Sequence, residues 1–253
     1  MKSKIYEFAV IGAGLTGSAA AKYLSKKYNN VVLIGPSEPL DKQNHDGIYG
    51  SHYDEGRITR VSDSYFGWSY LAAKSIENYV DIQNQSGIEF YSEVGTLSIG
   101  TQDYYNELIS TYSKVPFEYK NHENFSLNED LSKFHFPDNS KFILEQKNAG
   151  HVSPRKLVSA QKQIFNNHNG DYVDDFVISI NKSNNTFNIR TKTNLEIKSN
   201  KILICAGGFT NFTNLLKNDL PTKIRGRTIV LGEVKPQLID ELKKYPSFIH
   251  KPD

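Results

Sequence analysis

The sequence predicts an α/β protein in which a βαβ unit is joined to a second, mainly antiparallel β domain. Two short apolar runs near the start of the chain are separated by a helical stretch rich in small residues. A glycine-rich turn joins the first run to that stretch, and further β-type segments follow from residue 90 onward. A strand–helix–strand order of this kind predicts parallel strands covered by helices on both faces.

The first βαβ unit is predicted over residues 7–34. Residues 7–11 and the run Val31-Val32-Leu33-Ile34 are short and apolar, which is typical of buried strands. The stretch from Leu15 to Tyr28 is rich in alanine and predicts a helix, which Asn29-Asn30 ends. This order is Rossmann-like, and the turn after the first strand decides whether such a unit can bind FAD or NAD(P).

The turn after the first strand has the pattern GxGxxG at residues 12–17. Its position after a strand and at the start of a helix predicts dinucleotide binding, with a plain glycine turn as the alternative. The first glycine permits the tight turn, the second lets the backbone approach a pyrophosphate, and the third packs the helix on the sheet. The phosphates would lie at the helix N-terminus. The predicted cofactor-binding residues here are Gly12, Ala13, Gly14, Thr16 and Gly17.

The second strand lacks the acidic residue that would hold ribose hydroxyl groups in such a unit. Gly35 occupies the expected position, and Pro36, Ser37 and Glu38 follow it. Either Ser37 or Glu38 takes over this contact from a shifted loop, or the contact is absent.

Residues 35–59 lose the regular pattern and predict an ordered functional loop. After it, alternating and helical patterns return as far as residue 113, whereas residues 114–148 allow no assignment. The predicted elements are a helix over Ser69–Gln85, a strand pair over Phe90–Ile99 bent at Gly95, and a helix over residues 103–113.

A new unit is predicted from Gly150, with a helix that Ser153 caps and Pro154 begins. The elements predicted after it are β structure over Tyr172–Ile180 and Thr186–Ile197, a strand over Lys201–Ala206, a strand over Thr228–Val234 and a helix over residues 236–244. The domain boundaries follow from this pattern. Residues 1–86 and 149–221 form the dinucleotide-binding domain, and residues 87–148 and 222–253 form the substrate domain.

Composition excludes several classes of function. The net charge of +2 is too small to indicate nucleic acid as the main partner. The single cysteine, Cys205, permits no internal disulfide, and the seven histidines lack metal-ligand spacing, so no metal site is expected. No apolar run approaches the ~20 residues that span a bilayer, and the first residues lack a secretion signal. We therefore expect a cytoplasmic protein that binds no membrane.

The segment from Gly50 to Arg60 carries the most specific pattern, GSHYDEGRITR. It resembles the GSHHGDTRIIR pattern of the FAD-dependent amine oxidases of the sarcosine oxidase and N-methyl-amino-acid oxidase group, within the D-amino-acid-oxidase-like superfamily. Six of eleven positions are identical; Tyr53, Asp54-Glu55-Gly56 and Thr59 depart from it. The segments 90–100, 150–154, 202–211 and 224–230 resemble further stretches of the same family.

The resemblance implies FAD as the cofactor, with Ser51 and His52 beside the flavin and Gly207 among the cofactor contacts. Arg57 matches the family arginine that supports the reduced flavin, and Arg60 matches the arginine that binds the substrate carboxylate. A guanidinium suits both tasks. The catalytic residues are therefore expected to be Arg57, Arg60 and His52. A surface ion pair with Asp54 or Glu55 is the alternative for each arginine.

The implied reaction is oxidation of a secondary or primary amine or amino acid to an imine, with O2 as the electron acceptor. Family members are longer and carry C-terminally a lysine for oxygen activation, a cysteine bonded to the flavin in many members, and a glycine-rich segment. We therefore expect a C-terminally truncated sequence, a second chain that completes the flavin site, or a non-catalytic dinucleotide-binding protein. A FAD-linked dehydrogenase with another acceptor is a further alternative.

Overall fold

The computed structural model describes residues 4–41, 43–45, 49–126, 131, 134–213, 215–226 and 228–251. The chain divides into two compact units. The first unit contains residues 1–54, 84–88 and 154–229, and the second contains residues 55–83, 89–153 and 230–253.

The first unit contains a six-stranded sheet in the order β10-β11-β12-β1-β2-β9. Strands β12, β1, β2 and β9 are parallel, whereas β10 and β11 pair antiparallel with their neighbours. The strands are β1 (Ile5–Ile11), β2 (Val31–Ile34), β9 (Asp171–Val173), β10 (Val177–Ser183), β11 (Thr186–Thr191) and β12 (Glu196–Ile204). The helices are α1 (Leu15–Ser25) and α5 (Pro154–Asn167), followed by a 3-10 helix over Gly207–Thr213.

Strand β1 lies in the middle of this sheet because it is apolar on both faces. Its alternate residues Ala9 and Ile11 join one buried cluster, whereas Val10 joins another with Ala21 of α1 and Phe165 of α5. Side chains of β1, α1 and α5 thus pack into one buried cluster, and this packing holds α1 against the sheet. The predicted α/β fold class is confirmed.

The second unit contains two small sheets, with strand orders β13-β5-β7-β6 and β3-β8-β4. Most pairs are antiparallel, and β13 joins β5 in parallel. The strands are β3 (Arg57–Thr59), β4 (Tyr91–Ser92), β5 (Thr96–Gly100), β6 (Tyr119–Asn121), β7 (Lys141–Glu145), β8 (Gly150–Val152) and β13 (Ser247–Lys251). The helices are α2 (Phe66–Ile76), α4 (Gln102–Ile109), α6 (Pro236–Leu242) and α3 (Tyr79–Ser86), whose last three residues belong to the first unit.

Several predicted elements differ in the structure. The helix predicted over 69–85 is two helices, α2 and α3, since the first ends at a C-cap at Glu77. The described residues of 228–234 form no strand, and residue 227 lies outside the described part of the chain. Strand β12 runs continuously through the residues between the predicted segments 186–197 and 201–206, because β1 and β11 pair with it on both sides.

The compact units also divide the chain differently from the predicted domains. Residues 55–83 belong to the second unit, whereas the pattern of the sequence placed them with the dinucleotide-binding domain. The predicted domain boundaries therefore stay a prediction. Among the described helices, none combines the length and the apolar character that a membrane crossing requires.

Candidate functional site

The glycine loop, residues 12–17, comprises the turn after β1 and the first residues of α1, and it packs too tightly for side chains at two of its glycines. Gly12 has a φ of +104°, and a Cβ added there would lie 2.2 Å from the carbonyl oxygen of Cys205. A Cβ on Gly17 would lie 1.6 Å from the carbonyl oxygen of Gly12. Both positions therefore require glycine, and the loop takes the shape that its spacing predicts.

The start of α1 presents backbone N–H groups that no side chain caps. Gly14 is the N-cap, no side chain caps the helix, and its first turn contains no acidic residue. The first N–H groups of a helix have no acceptor within the helix, and its dipole favours negative charge there. Thr16 is exposed in this turn, while Ala13 is buried against the sheet. These residues fit a diphosphate, such as that of a dinucleotide, bound through backbone amides.

The structure brings His52 next to this loop. The Nδ1 atom of His52 lies 3.4 Å from the position of a Cβ on Gly14, so a side chain at residue 14 would be in van der Waals contact with the imidazole. The ring of Tyr53 packs edge-on against His52, with 4.6 Å between the centroids. Ser51 is exposed on the same segment.

Gly207 follows the carboxyl end of β12, which is the parallel neighbour of β1. It has a φ of +64° and open space around its Cα. Because the ends of adjacent parallel strands lie at one edge of a sheet, Gly207 and Gly12 follow neighbouring strands at this edge. Among the predicted cofactor-binding residues, Gly12 and Gly207 thus follow neighbouring parallel strands, and His52 lies beside Gly14.

Gly35 ends the neighbouring strand β2 in close contact with the same loop. A Cβ on Gly35 would lie 2.5 Å from the amide nitrogen of Ala13 and 2.8 Å from its Cβ. The phenol of Tyr172 donates a hydrogen bond to the Gly35 carbonyl at 2.8 Å. The absence of an acid at this position therefore has a steric reason.

A polar group that the sequence did not predict as a unit, here called the β2-edge cluster, surrounds the residues after Gly35. It comprises Ser37, Glu38, Arg155, Tyr172 and Asp174. Glu38 accepts two hydrogen bonds from Arg155, at 2.7 and 2.8 Å, and Ser37 donates to Asp174 from its amide and its hydroxyl. The contacts join residues more than 100 positions apart, and no local pattern in the sequence signals them.

Arg57 and Arg60 belong to the second unit. Arg57 begins strand β3, pairs in register with Val152 of β8 and is exposed. Arg60 follows the end of β3, and its side chain is only 19% exposed. Its guanidinium forms an ion pair with Asp63 at 3.4 Å. The two arginines thus differ in environment, one open to solvent and the other largely enclosed.

A fully buried carboxylate fixes the chain just after Arg60. Glu145, at the end of β7, accepts hydrogen bonds from the amides of Val61 and Ser62, at 2.9 and 3.2 Å, and from the Ser62 hydroxyl. Burial raises the pKa of the Glu145 carboxyl, although these donors and the charge of Arg60 oppose the shift. No motif in the sequence predicts a role for this residue; its one signal is an acid directly after the apolar run 142–144.

The described side chains form no group of three or more His, Cys, Asp or Glu residues that could hold a metal ion. Cys205, half-buried beside the glycine loop, has a thiol whose pKa is raised by burial.

Comparison with known sequences supports the resemblance seen in the motif at residues 50–60. The profile of the DAO family, described as FAD dependent oxidoreductase, matches residues 7–253. Monomeric sarcosine oxidase of Streptomyces avermitilis is 30% identical over 167 residues, which cover 64% of this chain and 41% of that protein. Monomeric sarcosine oxidase of Bacillus sp. (strain NS-129) is 22% identical over 259 residues, covering 96% of this chain and 62% of that protein. The chain thus spans less than two thirds of the length of either relative.

Solved structures share the fold. Glycine oxidase from Geobacillus kaustophilus superposes with a TM-score of 0.65 at 13% identity, over 83% of this chain and 58% of that chain. L-proline dehydrogenase from P. horikoshii gives a TM-score of 0.66 at 17% identity, over 84% of this chain and 55% of that chain. At these identities the likeness concerns the fold alone.

Proposed function

The chain belongs to the DAO family of FAD-dependent oxidoreductases, and from this membership we propose that it oxidises a secondary or primary amine or amino acid to an imine, with O2 as the electron acceptor. FAD is the cofactor of this family. The observation that carries the proposal is the glycine loop at residues 12–17, whose backbone fits the diphosphate of FAD. The two sarcosine oxidase relatives favour an N-methylated or other small amino acid as the substrate.

When bound, FAD would supply the redox chemistry: it would take a hydride from the carbon next to the substrate nitrogen, and O2 would then receive the two electrons with two protons and leave as H2O2. The chain's own residues bind and orient. The amides at the start of α1 hold the diphosphate, and His52 lies over this loop. Water then hydrolyses the imine to a carbonyl compound and an amine.

We assign the two arginines different tasks. Arg60, largely enclosed, would hold the substrate carboxylate through its planar guanidinium. Arg57 would place positive charge where the reduced cofactor gains negative charge. The buried Glu145 supports the first assignment, because its hydrogen bonds hold the backbone that follows Arg60.

The test is reconstitution of the purified protein with FAD, followed by measurement of H2O2 release with N-methylglycine, glycine and L-proline. We expect flavin absorbance on the protein and peroxide with at least one of these amines. R60Q should raise KM about tenfold to a hundredfold, because it removes a charge-assisted contact of ~1.5–3 kcal/mol. R60K keeps the positive charge and should raise KM less. R190Q is the matched control. Arg190 is exposed, belongs to the first unit whereas Arg60 belongs to the second, and donates a hydrogen bond to Asn194.

The alternatives give different results in the same assay. A FAD-linked dehydrogenase would reduce an artificial dye but release no peroxide. A non-catalytic dinucleotide-binding protein would take up FAD without turnover of any amine. Protein that stays colourless at saturating FAD would contradict the proposal, as would an R60Q variant with an unchanged KM.

A further inference from the structure

Arg60 and Asp63 meet through their side chains just after the end of β3. The Nη1 atom of Arg60 lies 3.4 Å from the Oδ2 atom of Asp63, and the two side chains are 19% and 29% exposed. Both charged groups are therefore largely enclosed and yet open to solvent. A small ligand that reaches one of them meets the other as well.

The backbone that carries this pair is held at both ends and in the middle. The Thr96 hydroxyl donates to the Thr59 carbonyl at 3.3 Å, and the Thr111 hydroxyl donates to the Asp63 carbonyl at 2.9 Å. Between these points, the buried carboxylate of Glu145 accepts hydrogen bonds from the two amides that precede Asp63, at 2.9 and 3.2 Å. The two charged side chains thus start from a fixed segment of backbone.

The guanidinium of Arg60 keeps donors for a ligand. A guanidinium has five N–H donors, and within the described part of the chain Arg60 donates one hydrogen bond, the one to Asp63. The other carboxylate oxygen of Asp63 accepts the amide of Tyr65 at 3.0 Å. A carboxylate of a ligand can therefore bind the remaining N–H groups of Arg60 while Asp63 stays beside it.

A ligand carboxylate at Arg60 would bring a second negative charge next to Asp63. Asp63 already offsets the charge of the guanidinium, and Glu145 is a further acid nearby. Burial raises the pKa of the Glu145 carboxyl, and the charge of Arg60 opposes that shift. Two carboxylates on one enclosed guanidinium leave a net negative charge, which is costly where solvent is scarce. A positive group in the same ligand removes this cost.

We propose that Asp63 is a specificity-determining residue, which makes this site select ligands that carry a positively charged nitrogen next to a carboxylate. Arg60 binds the carboxylate, and the nitrogen faces Asp63. In an α-amino acid a single carbon atom separates the two groups, so one small molecule meets both side chains. The ligand class is thus a zwitterionic amino acid, as opposed to a simple carboxylic acid.

This selection acts at binding and precedes the oxidation. It rests on the proposed function in that Arg60 binds the carboxylate of the substrate.

The test compares two molecules of the same shape that differ in one charge, trimethylglycine and tert-butylacetate. Both carry a carboxylate, and the positively charged nitrogen of the first stands where the second has a carbon atom. Trimethylglycine has no free electron pair on its nitrogen, so it forms no imine and calorimetry measures its binding alone. Each probe is titrated into the full chain with FAD added. We expect the wild type to bind trimethylglycine about tenfold more tightly than tert-butylacetate.

D63N removes the charge of Asp63 and keeps an oxygen atom that can accept the amide of Tyr65, so the start of α2 is preserved. It should bind trimethylglycine about tenfold more weakly than the wild type and tert-butylacetate more tightly, because attraction and repulsion are lost together. D63E retains the charge and should keep part of the preference. R60Q should weaken the binding of both probes.

E77Q is the matched control, because Glu77 also forms an i,i+3 ion pair in the same unit, with Lys74 at 2.8 Å, and this pair does not involve Arg60. It should bind both probes as the wild type does. A wild type that binds the two probes equally, or binds neither, would overturn the assignment even if D63N failed to fold. An equal loss of both probes in D63N would overturn it as well.

The same preparation separates this assignment from the proposed function. Release of peroxide from N-methylglycine by a protein that does not distinguish the two probes would remove the role of Asp63 and leave the proposed function in place. A protein that binds neither probe and releases no peroxide with any amine would remove both.

Discussion

At the scale of single residues, space decides where glycine is required. Gly12 and Gly17 meet backbone oxygen atoms, and the GxGxxG spacing predicts both. Gly35 meets the backbone of Ala13 in the same way, but in the sequence it looked only like a missing acid. The reason is that its neighbour is 22 positions away, so the crowding exists only after β2 has packed beside the loop.

We expect G35A to lower the free energy of unfolding by at least ~2 kcal/mol, because the added methyl group overlaps backbone atoms of Ala13. Urea denaturation followed by circular dichroism would measure the change. G226A is the control, since a Cβ on Gly226, in the same unit, meets nothing within 4 Å. Equal stability of G35A and G226A would mean that the end of β2 does not press on the loop.

At the scale of elements, side chains from β5, from β7 and from the turn after α4 hold the backbone around Arg60. Glu145 at the end of β7 binds the amides of residues 61 and 62, and the Thr96 hydroxyl of β5 donates to the carbonyl of Thr59 at 3.3 Å. The Thr111 hydroxyl, just beyond α4, donates to the carbonyl of Asp63. Three separate elements thus fix a five-residue segment around Arg60.

We expect E145Q to destabilise the protein by ~1–3 kcal/mol, since an amide NH2 cannot accept the donors that the carboxylate receives. Burial raises the pKa of this carboxyl in the folded state, so ionisation of Glu145 costs the folded protein more than the unfolded chain, and wild-type stability falls as pH rises through that pKa. Glutamine does not ionise and has no such loss. The cost of E145Q should therefore shrink with rising pH.

Urea unfolding of wild type and E145Q at several pH values would measure this trend. E118Q is the control, because Glu118 forms an exposed ion pair with Lys147 and should show no such trend. A cost that grows with pH would indicate that the folded-state pKa of Glu145 is lowered instead.

At the scale of the whole molecule, one run of consecutive apolar residues is exposed on the surface. Ile229, Val230 and Leu231 are exposed in succession, with Val230 at 89% and Leu231 at 72%. A contiguous apolar run at the surface favours association, and a net charge of only +2 opposes it weakly.

We expect the purified chain to self-associate as its concentration rises, and the double variant V230S/L231S to remain monomeric at concentrations where the wild type does not. Light scattering after size-exclusion chromatography would measure both. L195S is the control, because Leu195 is an exposed but isolated leucine and its loss should change little. A wild type that is monomeric throughout would contradict the expectation.

The sequence by itself determined the βαβ unit, the glycine loop, the family and its cofactor. These depend on local spacing, on continuous apolar runs and on one motif at residues 50–60, all of which are visible along the chain. It did not determine strands β6 and β7, whose short polar and apolar stretches have no periodicity of their own. Only the tertiary structure decided the pairing of Glu38 with Arg155 and of Glu145 with residues 61–62, and the steric requirement at Gly35. Each of these depends on contact between segments distant in sequence, which arises only when the sheets assemble.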